Sequence, residues 1–391
     1  MGETMQAINA HQSAENWTPN WGGFYRVTRL LLLFSFFCGA LILHRWSVDG
    51  DPRFFAFLNS PIGQRVGVTF GWWSSPLDVP IIEKSFARYT RSERAAHREL
   101  TEAWPAGPGK VMYRDVRFRM EFPEMAPLLE PPYLVMSDAP EEEAKLLVAE
   151  LLNLHEEFNG VFGSLAARAP SDATIHVLYF SDFADYLAYQ ASASHGLEET
   201  SGFYSPSANR LVLYRSGEMM TSARGTPRLP PALLATVRHE GAHQLFYDYG
   251  VHSAHRAEHD WLIEGLATYC EEARIGAVSV HRLAILHAAL ATHREIPLAQ
   301  LITSKSPEGL LAHRATELAY SQSWGLVHLL MTEPYREDFF RYIRQVRDPA
   351  EFQVVRRTPP MELLCNHLNL TPDELDARLR QHVEALAGWR L

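Results

Sequence analysis

Apolar positions along the chain follow three patterns. Residues 30–43 form an unbroken run, LLLLFSFFCGALIL, fourteen positions without a charge. Between residues 133 and 214 the apolar residues come in short runs bounded by turn formers: 133–136 (YLVM), 174–180 (TIHVLYF), 202–204 (GFY) and 211–214 (LVLY). Such runs read as strands, and the last two, flanking Ser205-Pro206-Ser207-Ala208-Asn209, read as a hairpin. Between the strands, residues 141–158 repeat at the helical period, with Leu146, Leu147, Leu151 and Leu154 on one face and acids in the first turn. Residues 182–190 predict a short second helix. From residue 231 the chain reads as helical almost throughout. Its last helix is announced by Thr371 as cap, Pro372 at the first helical position and Glu374 completing a capping box. Strands with helices first, then helices alone, give an α+β fold with a helical C-terminal half.

The first apolar run bears on location. A membrane span needs about 20 apolar residues, with about 17 as the lower limit. Fourteen is short for a span and matches the core of a signal peptide. With Val27, Thr28 and Trp46 added, residues 27–46 read as a thin signal anchor, with a cleaved secretory signal and a buried core helix as the alternatives. Arginines flank the run on both sides, so the orientation expected, tail inside and large domain outside, rests on the length of the domain that follows. The chain then divides into an N-terminal tail with its anchor (1–46) and a proline-broken tether containing a helix from about 82 to 104 (47–110). Next come a strand-containing lobe (111–230) and a helical lobe (231–391).

Composition narrows the function classes. The chain has 36 basic and 46 acidic residues, a net charge of −10, which argues against nucleic acid as a partner. Its three cysteines, Cys38, Cys270 and Cys365, form no CxxC pair, so a cysteine zinc ribbon and a disulfide framework are both excluded. Cys270 reads as a small buried hydrophobe. Histidine, by contrast, occurs 18 times.

Two of these histidines fall in His239-Glu240-Gly241-Ala242-His243, inside the helical stretch 232–247. Residues i and i+4 share a helix face, so both imidazoles can reach one tetrahedral Zn2+ at roughly 2.0–2.1 Å. Glu240 lies beside that position and can take a proton from zinc-activated water and pass it to a leaving amine. The spacing downstream excludes a metzincin, since Phe246 and Tyr249 stand where glycine and a third histidine are needed. Instead a second helix, WLIEGLATY (261–269), places Glu264 21 residues beyond His243, a gap that lets the helix fold back and complete a His2Glu site. That helix is expected to end near Arg274, with Gly276 as its cap. Glu271, seven residues after Glu264 and on the same helical face, is positioned to hydrogen-bond the outer nitrogen of a ligand histidine. His252, His255 and His259 crowd the connection between the two helices and read as solvent-facing or supporting residues rather than ligands.

HExxH followed by a WLxEGxAxYxE helix resembles the gluzincin metallopeptidases, and more closely an uncharacterised bacterial branch of the peptidase MA-like clan. The resemblance covers about residues 130–345. It implies a thermolysin-like catalytic domain binding one Zn2+, with His239, His243 and Glu264 as metal ligands and Glu240 as general base. It also implies a small β-sheet lobe whose edge strand binds extended peptide, which the 202–214 hairpin could supply. The segment LAYSQSWGL (318–326) is similar to the one carrying the transition-state tyrosine of the aminopeptidase-type members, which makes Tyr320 the candidate oxyanion donor. No GAMEN-like segment lies upstream, so aminopeptidase activity is unsupported. The expected function is a membrane-tethered zinc metallopeptidase, an endopeptidase acting on peptide or protein substrates. The alternatives are a catalytically inactive binding module of the same fold and a zinc hydrolase of non-peptide bonds.

Overall fold

The computed structural model describes residues 86–104, 111–167, 174–192, 201–206, 208–221, 225, 227–252, 260–304, 316–348 and 350–390. All belong to the unit Gln64–Leu391. The anchor expected at residues 27–46 lies outside the described residues, as do His255 and His259. Among the described residues no helix is long and apolar enough to cross a membrane.

Among the described residues thirteen α-helices and seven strands follow in order: α1 (Arg91–Ala103), α2 (Tyr113–Glu121), β1 (Ala126–Glu130), β2 (Tyr133–Ser137), α3 (Glu141–Phe162), β3 (Ile175–Phe180), α4 (Phe183–Ser192), β4 (Gly202–Ser205), β5 (Arg210–Tyr214), β6 (Met220–Thr221), β7 (Pro227–Arg228), α5 (Pro231–Asp248), α6 (Asp260–Tyr269), α7 (Val280–Ala291), α8 (Leu298–Thr303), α9 (Thr316–Leu330), α10 (Arg336–Arg347), α11 (Phe352–Arg357), α12 (Pro360–Leu368) and α13 (Pro372–Arg390). The content is 63% helix and 11% strand, an α+β fold with a small mixed sheet and a mostly helical C-terminal region.

The main sheet has the order β1-β2-β3-β5-β4. Its centre, β2-β3-β5, is parallel; β1 and β4 are antiparallel edges. Every residue of β2 and β3 is buried, which is why both read as continuous apolar runs rather than as alternating ones. The two-residue period still sorts their side chains. Tyr133, Val135, Val177, Tyr179, Leu211 and Leu213 face the large core with α3 and α5. Leu134, Met136, Leu178, Phe180 and Val212 face a smaller one. That smaller core also holds Ala96 and Leu100 of α1 and Val116 and Phe118 of α2. The helix expected within the tether is therefore part of the folded body, covering the far face of the sheet.

Several expected boundaries shift. The 141–158 helix runs on to Phe162, where Phe158 and Phe162 pack on Phe246 of α5. Strand β1 and helix α2 carry little apolar periodicity and have no counterpart in the sequence expectations. The 202–214 hairpin forms as expected, with Tyr204 paired to Leu211. The C-terminal capping box is also in place: Glu374 N donates to Thr371 Oγ1 at 3.2 Å and Thr371 N to Glu374 Oε2 at 2.8 Å.

Helix α5 lies at the centre of the molecule, and small residues let it sit there. A Cβ on Gly241 would meet Leu154 and Leu151 of α3 at 3.0 and 3.1 Å. On the other side, a Cβ on Gly202 of β4 would meet Thr236 Cγ2 at 3.0 Å. Gln244 Nε2 donates to the His176 carbonyl of β3 at 3.1 Å, pinning the rotation of α5 against the sheet.

Candidate metal centre

His239 and His243 project from one face of α5, and Glu264 comes from α6. His239 Nε2 and His243 Nε2 are 3.2 Å apart. Glu264 Oε2 lies 3.3 Å from the first and 3.4 Å from the second. Ligands arranged tetrahedrally at 2.0–2.1 Å around zinc stand about 3.3–3.4 Å from one another, so the three atoms have the mutual spacing of three corners of such a site. They form a group able to hold a metal ion. Glu264 Oε2 is buried and makes no regular hydrogen bond among the described residues, as expected of an atom whose partner is a cation.

The surroundings fix the lone pairs inward. His239 Nδ1 lies 2.9 Å from Glu271 Oε1. An ionised carboxylate only accepts, so Nδ1 donates to Glu271 and Nε2 is the nitrogen turned to the site, where a metal ion would take the place of a second ring proton. Burial works to raise the Glu271 carboxyl, but the hydrogen bond and charge of His239 and the Arg282 guanidinium hold it below its usual range. For Glu264 burial is likewise outweighed, by the two imidazoles, and the carboxyl is strongly depressed. His239 moves the other way. Burial disfavours its charge, yet Glu264, Glu271 and Glu240 push its proton affinity well above that of a free imidazole. Three carboxylates around two imidazoles make a pocket that attracts a cation.

Glu240 follows His239 on α5. Burial is the main cause of its raised pKa, partly offset by the two histidines. Its Oε2 accepts the backbone N–H of Tyr204 at 2.9 Å. The N–H of Tyr214 donates to the carbonyl of Ser201 at 3.2 Å, which puts Phe203 and Ser205 in the hydrogen-bonded pairs with β5. The N–H of Tyr204 therefore points away from β5 and over the edge of the sheet, toward α5.

Tyr320 of α9 also reaches the site. Its ring centroid is 6.1 Å from that of His239. Burial, followed by the charges of Glu264 and Glu240, raises its phenol and keeps it protonated. The approach of α9 depends on Gly265, where a Cβ would meet Val327 Cγ2 at 2.8 Å and the Ser323 carbonyl at 2.9 Å. Of the residues expected from the sequence, the structure thus gathers His239, Glu240, His243, Glu264, Glu271 and Tyr320 in one place.

One expectation is corrected and another is narrowed. Helix α6 ends at Tyr269, not near Arg274. Glu271 therefore reaches His239 from the turn that follows the helix, not from the helical face. The helix stops because Arg238 Nε takes the Cys270 carbonyl at 2.8 Å and the N–H of Gly276, at φ +80°, returns to Tyr269 at 3.1 Å. His252 does not face solvent. It is 2% exposed, lies tilted against Phe246 and edge-on to Tyr247, and burial, reinforced by His243, drops its pKa to about 3.

Two arginines of the site went unread in the sequence. Arg238 is fully buried, pairing with Glu150 at 2.6 Å and Glu157 at 2.7 Å on α3. Glu157 also accepts the N–H of Ile275 at 2.8 Å, so the turn bearing Glu271 is tied to α3 at two points. The one available signal was an arginine inside an otherwise apolar stretch, with two glutamates seven residues apart on α3. Arg282 of α7 meets Glu271 at 3.0 Å, and nothing in the local sequence marks it.

A family model described as a protein of unknown function (DUF1570) matches residues 233–351, a span that includes every residue of the site on α5, α6, α7 and α9 and in the turn after α6. No curated protein matches the chain significantly.

Proposed function

We propose that this protein is a zinc-dependent peptidase, held at a membrane by its N-terminal apolar segment and acting on extended peptide. The observation that carries the reading is the convergence of His239 Nε2, His243 Nε2 and Glu264 Oε2 at 3.2–3.4 Å with Glu240 alongside. His239, His243 and Glu264 would hold the zinc, which would supply Lewis acidity and a water of pKa about 7. Glu240, its Oε2 steadied by Tyr204 N–H, takes the proton of the attacking water and delivers it to the departing amine. Tyr320, protonated throughout, donates its O–H to the developing oxyanion. Glu271 holds the His239 ring in the tautomer that leaves Nε2 facing the site. The edge of β4, beside Glu240, is where an extended substrate adds as a further strand.

The test is metal content of the full chain by plasma mass spectrometry, with turnover of an internally quenched fluorogenic peptide mixture. One zinc per chain is expected, lost in Glu264→Ala. Glu240→Gln should keep the zinc and lose peptide cleavage by about 10²–10⁴-fold. Wild type without stoichiometric zinc after reconstitution would overturn the reading. Zinc without peptide cleavage would restrict it to a metal-binding module or a hydrolase of another bond.

A further inference from the structure

Arg282 joins two halves of the site that come from different helices. Its Nη2 and Nε meet the Glu271 carboxylate at 3.0 and 3.3 Å. Glu271 Oε1 is shared with His239 Nδ1 at 2.9 Å. The flat face of the same guanidinium lies 5.5 Å from the centroid of the Tyr320 ring, and its remaining edge meets Glu317 at 3.2 Å. The Arg282 side chain is 15% exposed. One planar cation is therefore engaged by edge and by face at once, a geometry that arginine provides and lysine does not.

We propose that Arg282 is the positioning residue that couples the metal-ligand end of the site to the oxyanion end. It holds Glu271 on His239 with its fork and fixes the Tyr320 ring with its face. The proposal rests on the zinc-peptidase reading. The Glu271 carboxylate is gripped between His239 Nδ1 on one side and the Arg282 fork on the other, and its position is fixed only while both partners are in place. Without Arg282, Glu271 releases His239, whose ring is then free to rotate or change tautomer. Lysine in its place restores the charge to Glu271 but leaves the Tyr320 ring without its platform. Charge and shape are thus separable in the two variants Arg282→Gln and Arg282→Lys.

The experiment uses the full chain as wild type, Arg282→Gln, Arg282→Lys, Tyr320→Phe and the Arg282→Lys/Tyr320→Phe pair. Zinc affinity is measured by competition with a chromogenic chelator, and kcat and KM on a quenched fluorogenic peptide. Arg282→Gln is expected to weaken zinc binding by about 10–100-fold, the usual cost of losing an outer partner of a metal-bound histidine. Arg282→Lys should bind zinc like wild type and lose kcat with KM nearly unchanged. That loss should vanish when Tyr320 is already phenylalanine, because the placement of the ring acts on kcat only through the hydroxyl that phenylalanine lacks. Unchanged zinc affinity in Arg282→Gln, or a kcat loss in Arg282→Lys that persists undiminished on the Tyr320→Phe background, would overturn the proposal. If Arg282→Gln does not fold by circular dichroism, the lysine cycle decides. Wild type without zinc would overturn this proposal together with the reading it rests on. Wild type with zinc but no cleavage would remove the peptidase alone, and the zinc affinities would still judge the hold of Arg282 on Glu271.

Discussion

Arg238 shows how much of the site depends on a residue that never touches it. It stands one position before His239, on the side of α5 that faces away from His243 and Glu264, and engages each of its three nitrogens, with Glu150, Glu157 and the Cys270 carbonyl. A fully desolvated guanidinium is costly unless every edge is matched, and these partners match it. Its work is to stop α6 one turn early and to turn Glu271 back onto His239. Arg238→Met keeps the volume and removes the charge. It leaves Glu150 and Glu157 partly exposed at 19% and 30%, so the destabilisation falls at the low end for a broken buried pair, about 3 kcal/mol. Urea unfolding should show that loss as a lower midpoint at unchanged slope.

The elements that carry the site are held together by packing and by a second histidine pair. His328 of α9 and His382 of α13 share a hydrogen bond, with Nδ1 and Nε2 2.9 Å apart, among the rings of Trp324 and Tyr269. Burial lowers both, His328 to about 4. Depressed histidines stabilise the fold only while neutral. Their contribution is complete above the unfolded pKa of about 6.5 and is lost as pH falls from there toward about 4. For His328 the loss amounts to as much as ~3 kcal/mol across that window. Thermal midpoints measured between pH 7 and pH 4.5 should fall steadily in the wild type. The slope should be shallower in His328→Gln, which cannot take up the proton. Because α9 also carries Tyr320, acidification should loosen the Tyr320 side of the site before the side formed by α5 and α6.

At the scale of the whole molecule, one large core runs from the sheet through α3 and α5 into the helical half, and the His239, His243 and Glu264 group is carried by two of the helices that build it. A metal bound there links α5 to α6 and stabilises the native state by mass action, about 4 kcal/mol at a thousandfold excess over Kd. Stripping the protein with a chelator should lower its thermal midpoint by about 5–10 °C, with recovery on adding zinc and none on adding magnesium, whose hard octahedral preference suits oxygen ligands. An unchanged midpoint after removal of bound zinc would show that the two helices are held by packing alone.

What was legible in the sequence is what a helix or strand encodes locally. The four-residue step from His239 to His243 puts both imidazoles on one face of any helix, and the continuous apolar runs of β2 and β3 mark strands buried on both sides. The WLIEG segment marks a helix, the turn between 204 and 210 a hairpin, and Thr371 with Glu374 a helix start. The tertiary structure alone decided which distant elements meet. It placed β5 between β3 and β4, which turns the N–H of Tyr204 toward Glu240. It ended α6 at Tyr269 because a carbonyl of that segment is claimed by Arg238, a competition that no periodicity records. It brought Arg282 onto Glu271 and under Tyr320 from a third helix. Periodicity reports which face of an element is apolar; the partner waiting at that face, and the charge it brings, is fixed only when the chain has packed.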